Sequence, residues 1–287
     1  MSKYIFLYIA LVLTVNLFRI LLIILVSSFY KEDFKKNIEL KPKIIIIESF
    51  VLIFLLAFSF WLIDCFFDSK YITVLFSLFF VSLIPSYDYI LSPLKYLISK
   101  KEFRKNKKLE KIIKNEGFDY KIIILKGKIV NAYATGILPF SRTILIGKSL
   151  KKNMTEENLL SIIYHEIGHL KLNHLIKLYF INTLLSLLSF LVFFCRQYYL
   201  SASQSEIYEP ISIFALGVVI GILYWYIPGK IQYKLELEAD YFASKIVGAK
   251  KYEEALIELD FLSNGDVSKG GTTHPNLKRR IKNIYKK

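Results

Sequence analysis

Cysteine is nearly missing from this chain of 287 residues: there are two, Cys65 and Cys195. Two thiols far apart in sequence cannot frame a disulfide-dense secreted scaffold, and they form no cysteine-based metal motif. No small-residue cleavage site follows the first apolar run, residues 4–28, so that run is expected to be a retained anchor and not a signal peptide. Charges inside the apolar runs are few. Arg19 and Glu48 lie toward run ends, where they can reach the interface or pair, which argues against a charge-lined solute pathway. Acids are scarce relative to bases, 24 against 39, and the formal net charge is +15. A basic excess can serve nucleic acid, but here Lys and Arg flank the apolar runs. The charge therefore reads as membrane topology, and no nucleic-acid partner is expected.

What the chain does contain is apolar surface: 54% of its residues are hydrophobic. Runs at residues 4–28, 44–67, 71–90, 175–194 and 211–227 come close to or exceed the roughly 20 residues that cross ~30 Å of hydrocarbon. The last is the shortest, bracketed by Pro210 and Pro228. Loops 31–43 and 95–128 and the C-terminal segment are rich in Lys, while 68–70 and 196–209 are nearly free of positive charge. Five spans with an outer N-terminus fit this alternation. They put residues 95–174 and the C-terminal segment in the cytoplasm of a multi-pass cell-membrane protein. Cys65 and Cys195 then fall near the outer face, where a disulfide is chemically allowed. Four parts follow: an N-terminal region of three spans (1–94), a cytoplasmic α+β part (95–174), a hairpin of two spans (175–228), and C-terminal cytoplasmic helices (229–287). The fold class is a mainly α membrane protein with a cytoplasm-facing α+β domain carrying a small β-sheet.

Within 95–174, residues 101–116 read as an amphipathic helix closed by Gly117. β-Branched segments at 119–125 and 129–134 flank a Lys126-Gly127-Lys128 turn, and 142–146 reads as a third strand. Thr155-Glu156-Glu157 supplies an N-cap and an acidic first turn for the next helix. No polar break separates His174 from Leu175, so that helix is expected to run on into the fourth span.

It carries His165, Glu166 and His169 as His-Glu-x-x-His. Residues four apart share a helix face, so both imidazoles can reach one zinc ion, with the carboxylate beside them as general base. His174, five residues past His169, lies about 140° further round a continuous helix. Its expected role is structural or supporting. A catalytic zinc needs a third protein ligand. The strongest candidate is Glu236 in E-L-E-A-D, residues 236–240, with Asp240 on the same face to orient a ligating imidazole. By itself the segment is equally an ordinary charged helix face, and Glu238, off that face, is expected to be solvated. His274 is a candidate oxyanion donor and Arg280 a substrate or structural contact. His274-Pro275 also reads as a plain helix start.

These residues, with N-A-Y-A-T-G at 131–136 and T-H-P-N-L-K-R-R-I at 273–281, occur in an order that resembles the integral-membrane zinc metallopeptidases that include HtpX-type heat-shock proteases and the CAAX prenyl proteases. The resemblance covers residue 95 to the end. It implies one Zn²⁺ per chain held by His165, His169 and Glu236, with Glu166 as catalytic base. It also implies a substrate cleft along 131–135, where Asn131 can hydrogen-bond a peptide or, on the plainer reading, close the strand as a turn residue. Gln232 and Tyr233 stand where relatives often carry Ser-Arg. The expected function is hydrolysis of peptide bonds in membrane-associated or misfolded membrane proteins. Maturation of a defined or lipidated CAAX-type peptide is the alternative within the class. An inactive scaffold or sensor is the alternative outside it, and nothing in the motif favours it.

Overall fold

The computed structural model describes residues 104–200 and 208–286, together with 89, 90 and 93; for 193–200 and 208–214 it describes the backbone alone. The expected spans at 4–28, 44–67 and most of 71–90, with Arg19, Glu48 and Cys65, lie outside the described residues, as does the side chain of Cys195.

The described chain is mostly helical around one small mixed sheet. Its elements are β1 (Arg104–Lys105), α1 (Lys107–Asn115), β2 (Lys121–Leu125), β3 (Ala132–Thr135), β4 (Thr143–Gly147), α2 (Lys148–Asn153), α3 (Glu156–Lys171), α4 (His174–Leu200), α5 (Tyr208–Val247), α6 (Ala249–Leu262), α7 (Asp266–Lys269) and α8 (Leu277–Ile284). The three expected strands are present with ends shifted by up to three residues, the helix expected over 101–116 begins only at Lys107, and β1 and α2 were not foreseen. Gly117 takes the positive φ of +88° that lets the chain leave α1 after the Glu116 cap. Thr155 stands at the N-cap of α3, but its N–H and Oγ1 both donate to Glu258 on α6, each at 3.0 Å. The α3 terminus is thereby tied to a distant helix and not capped by its own side chain.

Sheet order is β1-β2-β4-β3. β2 and β4 run parallel, while among the described residues β3 pairs antiparallel with β4 alone, Ala132 opposite Ile146 and Ala134 opposite Ile144. β3 is thus an edge strand. Isoleucines dominate the strands because β-branched side chains suit a pleated, buried surface. Ile122, Ile144 and Ile146 are fully buried in one core with Ile113, Leu150, Ile163, Ile167 and Leu256. Each such side chain contributes roughly 1.5–3 kcal/mol of burial. That core fixes α3 against the sheet.

Two long helices leave this body. Among the described residues, His174–Val192 and Ala215–Val247 are the helices long and apolar enough to cross a membrane. Large apolar side chains such as Phe180, Leu184, Val219, Ile222 and Trp225 point outward, unlike those of a soluble core. Inside the hairpin, Tyr224 Oη donates to Ser186 Oγ at 2.6 Å.

Two expectations are corrected here. First, α3 does not run on into the span. It stops at Leu172, Asn173 takes a left-handed φ of 57°, and α4 restarts at His174. Asn tolerates that conformation, and its Oδ1 accepts from Arg142 Nη2 at 2.8 Å. Second, Pro228 does not end the fifth run but lies inside the 40-residue α5. A proline removes one helical hydrogen bond there without stopping the helix.

Candidate metal centre

α3 and α5 pack tightly against each other where Gly168 meets Ala239. A β-carbon on Gly168 would stand 3.1 Å from the Phe242 ring and 3.2 Å from Ala239 Cα. Glycine in the first motif and alanine in the second let the two backbones meet, and that meeting carries Glu236 and Asp240 to the histidines.

His165 Nε2 and His169 Nε2 are 3.1 Å apart. Glu236 Oε2 lies 3.4 Å from the first and Oε1 3.5 Å from the second. Donors placed tetrahedrally at ~2.1 Å around one zinc would be roughly 3.4 Å from each other. The triad therefore has the spacing and the nitrogen and oxygen donors that zinc takes. It is also the group of three whose ligand atoms cluster within 4.8 Å among the described residues. His165 and Glu236 are buried, and His169 nearly so.

Each imidazole is oriented through its other nitrogen. His165 Nδ1 lies 2.9 Å from Asp240 Oδ1 and 3.0 Å from Tyr252 Oη. Tyr252 Oη donates to Asp240 Oδ1 at 2.7 Å, and Arg280 forks onto the same carboxylate through Nε at 2.9 Å and Nη2 at 2.6 Å. Asp240 and Tyr252 are fully buried. His169 Nδ1 faces His174 Nδ1 at 3.1 Å, and His174 Nε2 faces Glu238 Oε2 at the same distance.

Glu166 is buried beside the triad, where the backbone of Ala134 on edge strand β3 favours its charged form. Burial and the nearby Glu236 charge push its carboxyl up to about 7, against the pull of His165. Burial lowers the basicity of His165, but hydrogen bonds to Asp240 and Glu236 outweigh it and push the metal-free imidazole up to about 10. Burial and the His165 charge hold His169 down at about 3.

The structure thus brings His165, Glu166, His169, Glu236 and Asp240 together. His274 is half exposed at the rim, its Nε2 3.6 Å from Glu236 Oε1. Asn131 is exposed at the start of β3, and its Oδ1 accepts from Ala132 N–H at 2.9 Å. Arg280 is not at a substrate surface: it is 6% exposed and engaged by Asp240. A guanidinium so buried needs its carboxylate partner, so the substrate assignment is corrected to a structural one. Glu238 is likewise not merely solvated, since it meets His174 and, at 3.6 Å, Lys177. Tyr252 was missed altogether, and no local signal marks it, because a tyrosine in an amphipathic helix reads as core. At the departure from the related motif, Tyr233 takes the Arg279 guanidinium over its ring at 5.2 Å.

The family model described as Peptidase family M48 matches residues 100–287. A CAAX prenyl protease 1 homolog of Oryza sativa subsp. japonica is 27% identical over 169 residues, 53% of this chain and 39% of that protein. Protease HtpX of Haemophilus influenzae (strain PittEE) is 25% identical over 177 residues, 53% of this chain and 62% of that protein. The chain thus aligns with about four to six tenths of the length of these relatives. The crystal structure of S. mikatae Ste24p shares the fold, with a TM-score of 0.60 and 22% identity over 84% of this chain and 65% of that one.

Proposed function

The chain belongs to peptidase family M48, and on that premise we propose that it is an integral-membrane zinc metalloendopeptidase with its site facing the cytoplasm. The observation that carries the reading is the triad His165, His169 and Glu236 at zinc spacing with the Glu166 carboxylate buried against it. A divalent metal bound by the triad supplies Lewis acidity toward water and a scissile carbonyl.

The protein's own groups account for the rest. Glu166, with a carboxyl at about 7, is poised to take a proton from the attacking water and return it to the leaving nitrogen. The Ala134 backbone favours the charged form of that carboxylate and links the base to β3. Among the described residues β3 is paired on one side only, and its other edge offers main-chain hydrogen-bonding groups to an extended peptide. Asn131 turns its Oδ1 onto Ala132, which leaves its amide N–H groups as what it can offer that peptide. His274 Nε2, at the rim near Glu236, is the donor for the developing oxyanion.

Substrates on this reading are membrane-associated or misfolded membrane proteins. The likeness to a CAAX prenyl protease 1 homolog favours a lipidated peptide as the second reading. One experiment tests both. The detergent-purified chain is assayed on a membrane protein and on a prenylated CAAX peptide, beside Glu166→Gln. Cleavage is expected to fall by about 10²–10⁴ in the variant while zinc stays near one per chain. Equal cleavage by the variant would sink the reading. Processing of the prenylated peptide alone would leave the enzyme and overturn the quality-control substrate.

A further inference from the structure

His174 is fully buried, and each of its ring nitrogens has a partner of different character. Metal ligation through His169 Nε2 uses that nitrogen's lone pair, so the ring's proton must sit on Nδ1. Nδ1–H can then only donate to His174 Nδ1, 3.1 Å away. A nitrogen that accepts there carries no proton, so the proton of a neutral His174 is on Nε2, which faces Glu238 Oε2 at 3.1 Å. One choice of tautomer propagates along the whole row. Glu238 closes it with a carboxylate, which only accepts, and is itself met by Lys177 in the first turn of α4.

The turn at Leu172–Asn173 makes this possible. On an unbroken helix His174 would point away from His169. The left-handed Asn173 swings it back so that the two rings lie edge to face with centroids 5.1 Å apart. Glu238 reaches the ring from α5, two residues after the ligand Glu236, and its outer side lines an open groove with Leu172, Tyr241 and Lys245.

We propose that His174 and Glu238 are positioning residues: as a proton-ordered relay they hold His169 in the tautomer and orientation that ligate metal. The relay also ties the metal centre to the start of a candidate membrane span. This inference rests on the metal-centre reading above.

The test is zinc affinity and the Co²⁺ ligand-field spectrum of the full chain in detergent, with folding of each metal-free protein checked by circular dichroism. His174→Leu keeps bulk but no acceptor. His174→Asn restores an acceptor oxygen near the Nδ1 position. Glu238→Ala and Glu238→Gln separate the carboxylate from its shape. His174→Leu is expected to weaken zinc about 10–100-fold and to shift the Co²⁺ bands. His174→Asn should recover most of the affinity, and Glu238→Ala should lose more than Glu238→Gln. Wild-type affinity in His174→Leu, or no recovery in a folded His174→Asn, would overturn the relay and leave the centre standing. Absence of zinc binding by the wild type would instead overturn the centre, and the relay with it.

Discussion

The two histidines on α3 are one helical turn apart and are asked for the same thing, a free Nε2 aimed at a common point, yet the protein steadies them by opposite means. Behind His165 lies a closed ionic knot: Asp240, Arg280 and Tyr252, all buried and contributed by three helices. Behind His169 lies a row that begins with buried, neutral His174 and ends on Glu238, whose side chain is 52% exposed and shared with Lys177. One flank is sealed and charged, the other runs out to the surface near a candidate membrane span. The contrast teaches that orientation of a ligand can be supplied either by burying compensated charge or by ordering protons along neutral rings. The first is costly to disturb and the second is open to influence from outside the core.

The largest expected effect breaks the sealed flank. Arg280→Leu strips Asp240 of its guanidinium and leaves a buried carboxylate without its charge partner. Thermal unfolding of the metal-free protein in detergent should show a loss of about 3–5 kcal/mol. The half-exposed end of the other flank should cost under about 1 kcal/mol in Glu238→Ala. Equal losses would erase the distinction between the flanks.

A second effect follows from charge. In metal-free protein at pH 7.5 His165, with its pKa at about 10, carries a proton, whereas His169, at about 3, does not. Metal needs both rings neutral, so binding must expel the His165 proton. Affinity should therefore rise close to tenfold per pH unit between about 7.5 and 9.5, and fall toward acid. Calorimetry in buffers of different ionisation enthalpy should report about one proton released per metal. Heat independent of the buffer would contradict the charged state assigned to the sealed flank. A smaller effect than that of Arg280→Leu sharpens the comparison from within the sealed flank. Tyr252→Phe removes one of several hydrogen bonds to Asp240 and should cost about 1 kcal/mol by the same unfolding measurement, because Arg280 still holds the carboxylate.

How much of this was legible before folding differs from residue to residue. His165, Glu166 and His169 could be read because their geometry is local: helical spacing alone puts them on one face. The strands were legible as β-branched runs with boundaries that moved by a few residues, and the apolar runs at 175–194 and 211–227 as candidate spans, although the second helix runs on to Val247, well past the expected end. Glu236 and Asp240 were legible only as a face that could serve. Tyr252 was missed, Glu238 was expected to be solvated, and Arg280 was left open between a substrate and a structural contact, since a structural Tyr, a bridging Glu and a buried Arg have the same local pattern as their core or exposed counterparts. The break at Asn173 was missed because a left-handed asparagine leaves no composition signal.

What the sequence by itself determined was the chemistry of the metal-binding turn, its family and the apolar stretches of the hairpin. All of these depend on residue type and short spacing. What only the tertiary structure decided was which distant groups complete that turn. The approach of Ala239 to Gly168 brings Glu236 to the two histidines, and the knot behind His165 closes through residues 40 and 28 positions apart in sequence. The row behind His169 closes across 64. Such pairings come from helices packing against each other, and no period within a single segment encodes them.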